Sequence, residues 1–148
     1  MTAVSQVDVL VVDDDANDRA LVLRALRRPE RPLNIVELDD GEKAIRYLLR
    51  TEDYAELAGL PRPRLVLLDL KMPYRNGLEV LQAVRADDDC NPTPIVLLTS
   101  SVHDRDMVEA YRSGANAFVV KPSVYEDFTS TLRRTADFWL DINRLPSP

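Results

Sequence analysis

A chain of 148 residues with 45% hydrophobic content fits one domain and can bury a continuous core, which excludes wholesale disorder. Lysine and arginine total 19 against 25 acidic residues, a net charge of −6, and this argues against general nucleic-acid binding, which needs clustered basic groups to neutralise phosphate. One cysteine, Cys90, excludes an internal disulfide and points to a reducing cytoplasm.

The first apolar run, Val7–Val12, reads as a strand and ends in Asp13, Asp14 and Asp15. Asp15 is placed to cap the first helix, whose apolar positions are Leu21, Leu23, Ala25 and Leu26. Pro29 and Pro32 mark the connection to a second strand, Asn34–Leu38, and a helix carrying Ala44, Ile45, Leu48 and Leu49 follows. The link from Arg50 to Arg64 is long, and Asp53–Ala58 within it can form an extra helical turn. The third strand, Leu65–Leu68, delivers Asp69, and Leu78, Val80, Leu81 and Val84 mark the next helix. Ile95–Leu98 is the fourth strand and ends in Thr99, Ser100 and Ser101; Met107, Val108 and Tyr111 belong to the fourth helix. Ala117–Val120 delivers Lys121 and Pro122, and a last helix from Val124 to about Asn143 carries Phe128, Leu132, Ala136 and Trp139 at steps of three and four. No apolar run approaches the roughly 18–20 residues that cross a bilayer, and Met1–Gln6 lacks the segments of a signal peptide. The expectation is a cytoplasmic protein with neither membrane nor nucleic acid as partner.

Continuous apolar strands alternating with helical segments predict an α/β fold, a doubly wound five-stranded parallel sheet with helices on both faces. In such sheets chemistry collects beyond the carboxyl ends of the strands. There the chain places Asp13, Asp14, Asp69, Thr99 and Lys121 on one edge. Two carboxylates about 5 Å apart repel by roughly 3 kcal/mol at an effective dielectric of about 20. A cation is therefore expected among them, and hard oxygen ligands without a nearby His or Cys favour Mg²⁺, with Mn²⁺ as the alternative. A carboxylate can act as nucleophile towards a phosphoryl group once a metal screens its charge. Lys121 and Thr99 then supply a positive charge and a hydroxyl to the phosphoryl oxygens.

The runs Val11–Asp14 (VVDD), Leu67–Pro73 (LLDLKMP) with Asn76-Gly77, Leu97–Ser100 (LLTS) and Val119–Pro122 (VVKP) together resemble the receiver domain of two-component response regulators. The resemblance implies a flavodoxin-like sheet of order 2-1-3-4-5 and transfer of a phosphoryl group from a sensor histidine kinase onto Asp69. It implies Asp14, Asp69 and the Lys71 backbone carbonyl as direct magnesium ligands, with Asp13 acting through water. Thr99 and Phe118 match the family's switch pair and Lys121 its phosphoryl-binding lysine; the Lys121–Pro122 bond is expected to be cis. Phenylalanine at 118 carries no hydroxyl, so packing alone would govern its rotation. On this reading the chain is an enzyme only towards its own phosphorylation and dephosphorylation.

One receiver domain is expected over 1–148, with a core of about 7–137 and a C-terminal extension of about 138–148 in place of an output domain. The extension, with the long link before the third strand, resembles response regulators paired with phytochromes, so a phytochrome is the expected kinase. The last helix would be ~30 Å long, longer than strands of ~17–20 Å require, and would carry Phe138, Trp139 and Ile142 beyond the core. With Tyr111 and Phe118 nearby, these aromatic and aliphatic side chains predict a homodimer through the fourth helix, fifth strand and fifth helix. Lys71 and Ser101 flank the acceptor where they can admit or block a hydrolytic water. Three rival functions share parts of this pattern. A flavodoxin-like cofactor binder is disfavoured by aspartates where a phosphate needs donors. An aspartyl phosphatase would want an acid where Lys71 stands. A receiver acting as a constitutive binding module would have no need of the acidic pocket or Lys121.

Overall fold

The computed structural model describes residues 6–146. Five parallel strands are laid out in the order β2-β1-β3-β4-β5, with β1 at Val9–Val12, β2 at Ile35–Leu38, β3 at Leu65–Leu68, β4 at Ile95–Thr99 and β5 at Ala117–Val120. Between them run α1 (Ala16–Leu26), α2 (Gly41–Leu49), α3 (Gly77–Ala86), α4 (Asp104–Arg112) and α5 (Tyr125–Asp137). The three central strands are buried along their whole length and the edge strands β2 and β5 are not, which is why β1, β3 and β4 read as unbroken apolar runs.

Successive strand residues feed opposite faces. Leu10, Val12, Val66, Leu68, Ile95 and Leu97 meet Ala44, Tyr47 and Leu48 of α2, Val80, Leu81 and Val84 of α3, and Ala110 of α4. Val9, Val11, Leu65, Leu67, Val96 and Leu98 meet α1 and α5, the latter through Phe128, Leu132 and Ala136. Each helix start has a local cause. Asp15 caps α1 by accepting from Asp18 N, Asp40 caps α2 by accepting from Lys43 N, and Asn76 with Glu79 forms a capping box on α3. The long link before β3 holds a 3₁₀ helix, Glu52–Leu57, where an extra turn is expected.

Three features differ from the sequence reading. The first two strands begin later than expected, at Val9 and Ile35, because Val7 and Asn34 lie at the margin of the sheet. The described residues contain no cis peptide bond, so the Lys121–Pro122 bond is trans; a bond preceding proline favours trans by only about 0.5–1 kcal/mol, and either isomer closes a turn. The last helix runs to Ile142 as expected, but its final turn, Phe138–Ile142, is a π-helix closed by Asn143 N donating to Phe138 O at 2.8 Å. Leu140, four residues beyond Ala136, is in the core at 4% exposure and Trp139 lies against the α1–α5 side, leaving Phe138 and Ile142 outside. Trp139 thus lies partly within its own domain, because it keeps the helical spacing of the core positions before it. Phe118 is also half-buried, packed against the α2–α4 side of the sheet. No helix among the described residues is long and apolar enough to cross a membrane.

Candidate functional site

The sheet's hydrogen-bond ladder continues past the strand ends and carries the site residues in register. Asp13 N donates to Leu38 O at 3.1 Å, Asp69 N to Val12 O at 2.9 Å, and Lys121 N to Thr99 O at 2.7 Å. Three side chains from two neighbouring strands are thereby brought together: carboxylate oxygens of Asp13, Asp14 and Asp69 lie within 4.8 Å of one another. Asp13 is buried, Asp69 half-buried and Asp14 exposed. Glycine at 77 lets α3 start close behind the acceptor. A Cβ there would meet Asp69 O at 2.7 Å and Leu70 Cα at 3.0 Å, and Gly77 N donates to Leu70 O at 2.9 Å.

Lys121 reaches into this cluster with its side chain only 10% exposed. Its Nζ lies 3.0 Å from Asp13 Oδ2, 3.1 Å from Asp18 Oδ2 and 3.9 Å from Asp69 Oδ1. Burial alone would lower its pKa, but the pull of Asp69 and Asp13 outweighs it and the ammonium is held above its ordinary value. Burial raises Asp13 against the hydrogen bond from Asp15 N and the attraction of Lys121. It raises Asp69 to about 7, with Lys121 opposing and Asp13 and Asp14 adding to the rise. One ammonium therefore serves three acids and leaves the pocket short of positive charge. The donor set, carboxylates with no nitrogen or sulfur, fits a hard divalent cation.

Thr99 is fully buried at the end of β4, and its Oγ1 accepts from Ser101 N at 3.1 Å. Lys71 follows the acceptor by two residues; its backbone works against burial in setting the Asp69 pKa, while its side chain, 67% exposed, turns to Asp106 of α4 at 3.4 Å. Ser101 Oγ also donates to that Asp106 carboxylate. Of the expected dimer residues, Tyr111, Phe138 and Ile142 are exposed at 50%, 44% and 67%, whereas Trp139 and Phe118 are half-buried.

Two acids were not singled out from sequence. Asp18 sits one turn into α1 and Asp106 in the first turn of α4, positions where an acid ordinarily answers the helix dipole. Their second roles, holding Lys121 and joining Lys71 to Ser101, depend on how the helices lie over the strand ends.

A family model described as the response regulator receiver domain matches residues 9–133. The response regulator Rcp1 of Synechocystis is 30% identical over 139 residues, covering 94% of this chain and 92% of that protein. A probable methanogenesis regulatory protein, FilR2 of Methanothrix harundinacea, is 35% identical over 140 residues, covering 95% and 88%. Among solved structures, the phosphorylated cyanobacterial phytochrome response regulator RcpA superposes with a TM-score of 0.87 at 29% identity, covering 97% of this chain and all (100%) of that one. The Mn²⁺-bound form of Rcp1 superposes at 0.84, with 30% identity and coverage of 94% and 98%. The sheet order and the family match over most of its length agree with the four strand-end motifs, and the chain belongs to the response regulator receiver domain family.

Proposed function

We propose that Asp69 accepts a phosphoryl group from the phosphohistidine of a sensor histidine kinase, and that this transfer switches the protein's contacts with its partners. The observation that carries the reading is the Asp13–Asp14–Asp69 cluster with Lys121 Nζ 3.9 Å from the acceptor. In the transfer an Asp69 carboxylate oxygen forms a bond to phosphorus as the bond from phosphorus to the kinase imidazole breaks. The charge develops on the phosphoryl oxygens, which need positioned donors more than covalent help. Lys121 supplies a cation already desolvated and aimed by Asp13 and Asp18. Asp14 and Asp69 through their carboxylates, and Lys71 through its carbonyl, would hold magnesium directly, with Asp13 acting through water. When bound, the metal screens the pocket's negative charge so that an anionic donor can approach.

Thr99 gives the switch its direction. Its hydroxyl now faces Ser101 N, and a phosphoryl group on Asp69 offers it a charged acceptor instead. Drawing Thr99 towards that group frees space that the half-buried Phe118 ring can enter, which reshapes the surface of α4, β5 and α5.

The kinase we infer is a phytochrome, because this chain superposes over 97% of its residues on the phytochrome response regulator RcpA. A homodimer would use the exposed apolar side chains Val108, Tyr111, Val120, Phe138 and Ile142. Incubation with a small phosphodonor, with and without Mg²⁺, followed by intact mass and size exclusion, tests acceptor, metal and assembly together. A Mg²⁺-dependent, base-labile adduct lost in Asp69→Asn is expected; an adduct that persists in that variant would overturn the assignment.

A further inference from the structure

Beside the acceptor, a cleft of about 500 Å³ opens between the loop after β3 and α4, with Lys71, Met72, Asn76, Asp106 and Glu109 in its wall. Two side chains, from Ser101 and Lys71, meet on one atom of its Asp106 wall. Asp106 Oδ2 accepts the Ser101 hydroxyl and lies 3.4 Å from Lys71 Nζ. Each arm has a short tie back to the chemistry. Ser101 N–H donates to Thr99 Oγ1 at 3.1 Å, and Lys71 follows Asp69 by two residues. The Asp106 carboxylate is partly sheltered, its side chain 18% exposed, whereas Lys71 is 67% exposed and would wander without a partner. An ion pair this exposed adds little to stability. A hydroxyl donating to an ionised carboxylate is stronger and directional, so its value lies in geometry.

We propose that Asp106 is a positioning residue for dephosphorylation: it joins the Ser101 hydroxyl to the Lys71 ammonium across the α4 side of the acceptor and so slows the approach of water to phosphorylated Asp69. The inference rests on Asp69 as the phosphoacceptor. In the step that it restrains, a water oxygen bonds to phosphorus, the bond from phosphorus to the Asp69 carboxylate oxygen breaks, and inorganic phosphate leaves as the water's proton passes to solvent. Asp106 touches none of these atoms. It acts through the two side chains that flank them, and losing its charge frees both at once.

The test is the decay of the adduct. Wild type, Asp106→Asn, Asp106→Glu, the Ser101→Ala/Lys71→Ala pair and that pair combined with Asp106→Asn are phosphorylated with a small phosphodonor and Mg²⁺. The donor is then removed and the phosphorylated fraction is followed by intact mass. Asp106→Asn is expected to decay about three- to tenfold faster, Asp106→Glu to return within about twofold of wild type, and the pair to decay fast with no further change when Asp106→Asn is added. A purely structural role would show as a lower melting temperature with additive effects, and additivity overturns the proposal. So does an Asp106→Asn adduct that decays within about twofold of wild type. If Asp106→Asn does not fold, the pair decides: fast decay supports the bridge and unchanged decay overturns it. Failure of wild type to form any adduct would overturn the acceptor reading itself, an outcome separable from an adduct that forms and decays normally.

Discussion

Burial, more than any neighbour, lifts the Asp69 carboxyl from 3.8 to about 7. In the metal-free protein the folded state therefore keeps a proton that the unfolded chain releases across that window. The stability associated with it is present below the unfolded value of 3.8 and lost as pH rises towards about 7. Asp13 shifts in the same direction and adds to the trend. With divalent ions chelated, Asp69→Asn should melt higher than wild type at pH 7.5, by roughly 2–4 °C if about 1 kcal/mol of repulsion is relieved. The difference should shrink towards pH 5, and a calorimetric pH series checks it; a variant melting lower at neutral pH would show that the pocket is not short of positive charge. Gly77 makes a steric case at the same place. An alanine Cβ would press on the acceptor's own carbonyl at 2.7 Å, and that backbone cannot step aside as a side chain can. Gly77→Ala should cost about 1–3 kcal/mol in denaturant melts and slow phosphorylation, because the loop that aims Asp69 must move.

The C-terminal helical segment is attached by two kinds of contact of unequal strength. Leu140 is 4% exposed, and Leu140→Ala should destabilise by about 2–5 kcal/mol, the usual range for emptying such a position. Around it lies a charged lattice: Asp137 pairs with Arg28 at 2.5 Å and Arg31 at 2.6 Å, Asp141 with Arg31, and Arg64 Nη2 donates to Leu140 O at 2.5 Å. Asp137 is 40% exposed, so Asp137→Asn should cost no more than about 1 kcal/mol and less in high salt. Thermal melts of the two variants at low and high salt separate the contributions. This element also shows where sequence reading stops. Leu65–Leu68 and Ala117–Val120 were legible to the residue, because proline or turn residues precede them and a charged site residue follows each. That Asp13, Asp14, Asp69 and Lys121 come together was legible because strand ends in a parallel sheet share one edge. Trp139 keeps the helical spacing of the core positions before it, yet the expectation placed it outside, and nothing in the pattern announces a π turn. Asp18 and Asp106 were hidden for another reason: their partners are 103 and 5 residues away, joined by tertiary placement and not by any period.

Across the whole molecule, exposed apolar surface extends from α4 and β5 to the far end of the last helix. Val108 and Tyr111 of α4 and Val120 of β5 remain exposed, as do Phe138 and Ile142, whose turn lies beside Gln6 and Arg64 at the opposite end of the sheet from Asp69 and Lys121. Surface of this kind usually marks an interface. If it joins two copies of this chain, Ile142→Glu should weaken self-association at least about tenfold, as charge buried at an interface commonly does. Adduct formation at Asp69 should be untouched. Sedimentation across a concentration series would show it, and an unchanged distribution would move the contact elsewhere on the molecule.

The wide final turn has one more consequence, which concerns length and not composition. Each residue of ordinary helix advances the chain by about 100° around its axis, and the span from Phe138 O to Asn143 N holds one residue more than an α turn. Removing a residue there would restore regular winding and swing everything downstream by about a quarter of a revolution. The tail should therefore accept many replacements at its outer positions yet be re-aimed by a single-codon deletion, like a compass needle reset by one tooth of a gear.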